Sequence, residues 1–490
     1  MRSSSQYLCQ LAHVLINNML ALAVALIVLG TERAHASQPI DQCASKQAGR
    51  PAEGPVLLGS YSNMRQLPGA SINNVVLIVS DDQAWNDYGF MGHDAIETPR
   101  LDQLAKQSLT FTRGYATTSL CSPSLASIIT GLYPAQHGVT GNDPAMPPGV
   151  RRQSPEASKK RKRDREKMIA FIDRLETIPR RLSGKGYVSL QTGKWWLGNY
   201  KRGGFTHGMT RGFPNPGGRH GDDGLAIGRK GIATITEFLD KSAAAGQPFF
   251  IWYAPLLPHT PHTPPPELLA KYREKTESLS IAKYWAMCEW FDQTCGEVLD
   301  AIDARKLTDN TIVLYVTDNG WINRPDASKY APRSKRSPYD GGLRTPIMIR
   351  WPGKVEPRLD TTTLVSTIDI APTVYQACGL NPAAKLPGVS LLNQQALAQR
   401  NQVFGTVYAH DIENLDNPAE SLLYRWTVHG KQKAIFPNAG KVPEGVPELF
   451  EIADDPQEER NLASTNTVRL GELKQEVADW SDRTALIPHE

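Results

Sequence analysis

Runs of apolar residues recur along the chain, each closed by polar or turn-forming positions. Asn74–Ser80 (NVVLIVS), Pro248–Ala254 (PFFIWYA) and Thr311–Thr317 (TIVLYVT) are continuous rather than alternating. That pattern predicts strands buried on both faces, as in a parallel sheet covered by helices. Gly186–Gln191 and Pro346–Trp351 read as further strands. Between them the period becomes helical. Thr98–Leu109 opens with a Thr cap and a Pro at its first position, and helical units follow at Ile178–Leu182, Ile232–Ala245 and Leu279–Lys306. Val365–Gly379 reads as a strand turning into a helix. From about Ser390 the runs shorten and alternate, at Tyr424–Val428, Gln432–Phe436 and Glu448–Ile452, before a helical stretch near Val468–Trp480. This predicts an antiparallel sheet closed by a helix. The fold expected is α/β: a large mixed, mostly parallel sheet sandwiched by helices, with a smaller C-terminal antiparallel α+β subdomain.

The first residues follow a different pattern. Arg2 precedes a polar stretch, then Met19–Leu29 is wholly apolar and Ala34-His35-Ala36 follows. A short apolar run ending in an A-x-A site predicts a cleavable signal peptide, too short to span a bilayer comfortably. The expected division is residues 1–36 as signal, 37–389 as the main domain and 390–490 as the C-terminal subdomain. Export to the periplasm or the medium follows, with no stable membrane span after cleavage. The formal net charge of +4 on 490 residues gives no strong pull toward nucleic acid. The basic run Lys159-Lys160-Arg161-Lys162-Arg163 suits a polyanion, or simply a solvated loop or helix face. Of six cysteines, Cys9 leaves with the signal, and the spacing of the others demands no disulfide framework.

Chemistry concentrates at strand ends. Asn74–Ser80 runs into Asp81-Asp82, and Thr311–Thr317 into Asp318-Asn319-Gly320. Ligands of open α/β sheets gather outside the carboxyl ends of strands, and these oxygens suit Ca²⁺ or Mg²⁺ better than zinc. Cys121 precedes a helix expected over Ser124–Thr130, where the positive helix end should lower a thiol's pKa.

The stretch Cys121-Ser122-Pro123-Ser124-Leu125-Ala126-Ser127-Ile128-Ile129-Thr130-Gly131 resembles the type I sulfatase signature C-x-P-S-R-A-S-x-x-T-G. In that family, part of the alkaline phosphatase superfamily, the cysteine is oxidised to formylglycine. Lys194 in G-K-W, His259 in P-H-T-P and Lys335 in K-R-S-P-Y-D-G-G match it as well, and Glu448–Glu458 resembles its closing segment. The resemblance implies a sulfatase of the alkaline-phosphatase-like fold, which hydrolyses sulfate esters. Asp81, Asp82, Asp318, Asn319 and the Cys121 position would hold calcium. Lys194 and Lys335 would grip the sulfate, and His259 or Lys335 would assist the leaving group. A formylglycine-generating enzyme would act in maturation, and the substrate would be a sulfated small molecule or polysaccharide. Two positions depart from the pattern: Leu125 stands where the family has Arg, and Trp196 where it has His. They leave two alternatives open. One is a degenerate member that binds metal and a sulfated ligand without turnover; the other is a hydrolase of phosphate or phosphonate esters.

Overall fold

Strand β1 (Asn74–Ser80) is buried along its whole length in the computed structural model, which describes residues 73–146, 154–218, 222–381 and 386–484. The expected signal segment lies outside the described residues. Alternate β1 side chains serve two cores. Val75, Leu77 and Val79 belong to one apolar cluster, and Val76 and Ile78 to the other. A strand covered on both faces needs no polar positions, which is why its sequence is continuous rather than alternating.

The large sheet has nine strands. After β1 come β2 (Leu109–Tyr115), β3 (Val188–Gly193), β4 (His207–Gly208), β5 (Phe249–Ala254), β6 (Thr311–Thr317), β7 (Arg344–Arg350), β8 (Arg358–Asp360) and β9 (Val365–Ser366). Their spatial order is β9-β2-β7-β6-β1-β5-β3-β4, with β8 also on β2. β1 pairs in parallel with β5 and β6, whereas β7 runs antiparallel to both of its neighbours. The sheet is therefore mixed and mostly parallel, as the sequence predicts. The carboxyl ends of β1, β3, β5 and β6 consequently open on one edge, where Asp81, Lys194, the segment to His259 and Asp318 emerge.

Helices cover both faces. Residues of α1 (Cys121–Thr130), α2 (Pro155–Asp173) and α3 (Ile370–Ala377) join the core that holds Val75, while α4 (Leu279–Ala304) joins the one that holds Val76. The basic run thus lies on α2, on the helix reading of that segment. A four-stranded antiparallel sheet follows: β10 (Gln402–Tyr408), β11 (Leu422–His429), β12 (Gln432–Pro437) and β13 (Glu448–Glu451), packed against the helix Thr467–Arg483.

Two local expectations change. The helix opened by Pro99 ends at Lys106, and Leu109 begins β2 rather than closing the helix. Thr98 does not cap that helix; its hydroxyl accepts from Gly89 N at 2.9 Å and donates to Asp102 at 2.9 Å. The β-rich Leu109–Tyr115 run wins because it fills a position on the sheet beside β7.

Candidate functional site

The sheet edge brings the sequence-predicted residues together. Asp81 N donates to Leu257 O at 3.0 Å, which locks the end of β1 to the segment leaving β5. Asp82 then turns at φ 62°, a conformation rare for a residue with a side chain and concentrated at functional sites. β6 ends in step, with Asp318 N donating to Ser80 O at 2.9 Å. Asp318 Oδ1 accepts from Asn319 N at 2.6 Å and Asp82 N at 3.2 Å, while Asn319 Nδ2 donates to Asp82 Oδ1 at 2.7 Å. One turn thus holds the other.

Lys194 reaches the same place because β3 closes on Gly193, at φ +74°. A Cβ there would stand 1.9 Å from Ala254 O, so only glycine lets the chain bend this tightly against β5. Lys194 Nζ lies 2.5 Å from Asp81 Oδ1 and 2.9 Å from Asp318 Oδ2. Lys335 Nζ lies 2.6 and 2.7 Å from the two oxygens of Asp82. His259 Nε2 stands 3.4 Å from Asp82 Oδ2. The ligand-capable atoms of Asp81, Asp82, Cys121 and His259 all fall within 4.8 Å of one another.

Burial makes this cluster electrostatically tense. Desolvation is the largest influence on Asp81 and raises it to about 6 despite the Lys194 charge. Burial pushes Asp82 up too, but Lys335, His259 and Lys194 outweigh it and bring the group down to about 2. Both lysines are held above their ordinary range by the surrounding carboxylates, against the opposing effect of burial. Cys121 differs from its sequence expectation. It is the first residue of α1 and fully enclosed, and burial pushes its thiol up to about 11 in spite of Lys194 and Lys335. A thiol this close to Asp318 and Asp82 stays protonated at neutral pH.

Within the strand-end set, two buried oxygens have no hydrogen-bond partner: Asp81 Oδ2 and Asn319 Oδ1. Leaving such atoms unsatisfied is costly, and both belong to the hard-oxygen set predicted for a metal. The donors present therefore fit a divalent cation. His259 stands beside this set geometrically, whereas the sequence predicts for it a part in substrate binding and at the leaving group.

The two departures have clear surroundings. Leu125 is fully buried and packs in the same apolar cluster as Cys121 and Trp196. Trp196 places its ring under the Lys194 ammonium, 5.7 Å from centroid to Nζ, a cation–π arrangement. Neither side chain offers an acid or base to the site.

Residues that carried no sequence signal complete it. Asn142 Oδ1 accepts from Ser122 N at 2.8 Å, satisfying one free donor at the start of α1. Trp321 lies 5.7 Å from Lys335 Nζ, and Tyr284 OH donates to Asp82 O at 3.3 Å. Trp321 and Tyr284 also line a neighbouring cavity of about 400 Å³ with Trp85, Trp285, His93 and Arg333. None of the charged cluster's residues lines this cavity, which adjoins the cluster through Trp321 and Tyr284.

The family profile described as Sulfatase matches residues 73–380, and one described as N-sulphoglucosamine sulphohydrolase, C-terminal, matches residues 330–481. N-acetylgalactosamine-6-sulfatase of Homo sapiens is 28% identical over 359 residues, covering 65% of each chain, so the match spans less than two-thirds of that relative's length. A solved protein in complex with its substrate D-glucosamine-2-N,6-O-disulfate superposes with a TM-score of 0.63 at 17% identity, over 84% of this chain and 98% of that one. Phosphonate monoester hydrolase of Agrobacterium radiobacter gives 0.59 at 19% identity, over 84% and 96%. These two structures share the fold.

Proposed function

Because the chain belongs to the sulfatase family, we propose that it is a metal-dependent sulfuric ester hydrolase with its reaction centre at Cys121. The observation that supports this reading is the closed cluster in which two lysines and a histidine meet the paired strand-end carboxylates beside the helix that starts at Cys121. Asp81, Asp82, Asp318 and Asn319 would hold Ca²⁺ or Mg²⁺, which as a Lewis acid polarises the sulfate oxygens. Oxidation of Cys121 to formylglycine, an aldehyde, followed by addition of water, would supply the nucleophilic hydroxyl.

The chain's own residues do the rest. Lys194 and Lys335, permanently charged at neutral pH, neutralise the sulfate oxyanions, and in a water-poor site such contacts are strong. His259, whose side chain is 16% exposed at the edge of the cluster, is placed to hand a proton to the departing alcohol oxygen. Its Nδ1 faces Thr260 O at 2.5 Å, which fixes the ring so that Nε2 points inward. The aromatic cavity beside the cluster would receive the organic part of the ester, whether an aryl group or a sulfated sugar. A signal over residues 1–36, as the sequence predicts, would place the working enzyme outside the cytoplasm.

The test uses protein from its native host: aryl sulfate, phosphate and phosphonate hydrolysis, together with mass spectrometry of the Cys121 peptide. Preference for the sulfate and a formylglycine mass support the reading. Preference for phosphorus esters, or a thiol mass with sulfate binding but no turnover, would replace it with one of the alternatives.

A further inference from the structure

Five non-glycine residues among those described have positive φ, and four gather at one place: Asp82 (62°), Arg333 (57°), Arg336 (68°) and Glu458 (58°), with Lys306 as the exception. Such backbone is disfavoured and persists only where surroundings hold it. Arg333 and Arg336 bracket Lys335. Something beyond their own sequence must therefore keep this loop in shape.

The support comes from the C-terminal sheet. Lys433, on β12 and fully buried, places Nζ 2.7 Å from Asp340 Oδ1 and 2.7 Å from Glu458 Oε1. Glu458 Oε2 accepts from Asp340 N at 2.6 Å, and Glu458 O accepts from Arg333 Nη1 at 2.6 Å. Tyr115 OH donates to Asp340 Oδ2 at 3.3 Å, and Arg344 stands 3.8 Å from the same carboxylate oxygen. The Arg333 guanidinium covers the Tyr339 ring at 4.7 Å, and Tyr339 OH donates to Glu448 on β13 at 2.9 Å. From the opposite side, Arg336 N donates to Ser119 O at 2.9 Å, two residues before Cys121. Burial raises Glu458 to about 7, a sign of how costly this arrangement is. Ion clusters of this depth rarely add stability over apolar packing but do fix one geometry.

We infer that Lys433 and Glu458 are positioning residues: acting through Asp340, they brace residues 333–342 from the second sheet and so hold Lys335 on Asp82. The catalytic bearing of this brace rests on the sulfate-gripping part assigned to Lys335 above; the brace itself does not. The C-terminal sheet thus completes the site without touching substrate.

The test compares wild type with Lys433→Met/Glu458→Gln, which leaves the formal charge of the trio unchanged, and with Glu458→Gln alone should the pair fail to fold. Amide hydrogen exchange across residues 334–342 is expected to quicken about tenfold or more while α1 keeps its protection. KM for an aryl sulfate is expected to rise about tenfold, with a smaller change in kcat. Exchange in this loop within about twofold of wild type overturns the brace. Faster exchange with an unchanged KM overturns its link to Lys335. A wild type that neither binds nor cleaves sulfate esters refutes the proposed function instead, and exchange still decides the brace.

Discussion

Lys335→Met in metal-free protein isolates the electrostatics of the site. Asp82 is buried, and its carboxylate is held at about 2 against an ordinary 3.8, chiefly by Lys335 working against desolvation. That depression corresponds to about 2–3 kcal/mol in favour of the charged form. Removing one partner of a buried pair costs about 3–5 kcal/mol, because the other charge is left behind. Both routes lead to a loss of about 3 kcal/mol, or roughly 3 °C in melting temperature for a chain of this size. Met keeps the length and apolar stem of Lys, so packing contributes little. A carboxylate with a depressed folded pKa stabilises above its unfolded value and stops doing so as pH falls through the folded one. The wild-type contribution is therefore present above pH 3.8 and fades toward pH 2; the variant lacks it, so the gap between the two proteins should be full above about pH 4 and close as pH falls toward 2. Thermal melts in a chelator, repeated across pH and then with Ca²⁺, read these effects. The cation should recover more of the loss in the variant than it adds to wild type, since it supplies the missing positive charge. A variant melting within about 1 °C of wild type without metal would refute the claim that Lys335 compensates Asp82.

Other expectations follow from the same geometry. Asp81 must lose a proton to bind a cation, and its folded pKa is raised to about 6. Calcium affinity by calorimetry should therefore climb with pH up to about 6 and level off above it; a flat profile from pH 5 to 7 contradicts this. In metal-free protein the same raised pKa means that Asp81 favours the folded state below pH 3.8 and costs stability as pH rises through 6, a loss that added metal should cancel. Trp196→His together with Leu125→Arg should raise aryl sulfate kcat by about 10²-fold, the usual worth of a preorganised polar group, and no gain would show that these positions do not limit turnover. Cys121→Ala should abolish hydrolysis and weaken calcium binding, measured by calorimetry, without abolishing it, because the four strand-end residues remain.

Much of this architecture is readable from the chain because burial on both faces leaves a mark. Asn74–Ser80 and Thr311–Thr317 could hardly be anything but central strands, and their acidic ends mark the candidate site in the sequence alone. Leu109–Tyr115 is harder, since Arg113 and Gly114 interrupt its apolar run and a helix leads into it. Gln402–Tyr408 passes unnoticed for a related reason: Gly405 breaks the alternation, and it is there because a Cβ would stand 2.3 Å from the Trp426 ring. At the site, local sequence shows which residues carry charge but not how they share it. The helix-end argument predicts an acidified Cys121; burial reverses it. The contacts of Asn142 with Ser122, and of Lys433 with Asp340, join segments far apart in the chain and have no local signature.

The account stands on a hard cation bound where two strands end. Diffraction from crystals grown with calcium, collected for its anomalous signal, tests this most directly. The expected result is a single ion about 2.3–2.6 Å from oxygens of Asp81, Asp82, Asp318 and Asn319, with Lys194 Nζ displaced from between Asp81 and Asp318. A site without an ion at millimolar calcium, with Lys194 still bridging the two carboxylates, would contradict it.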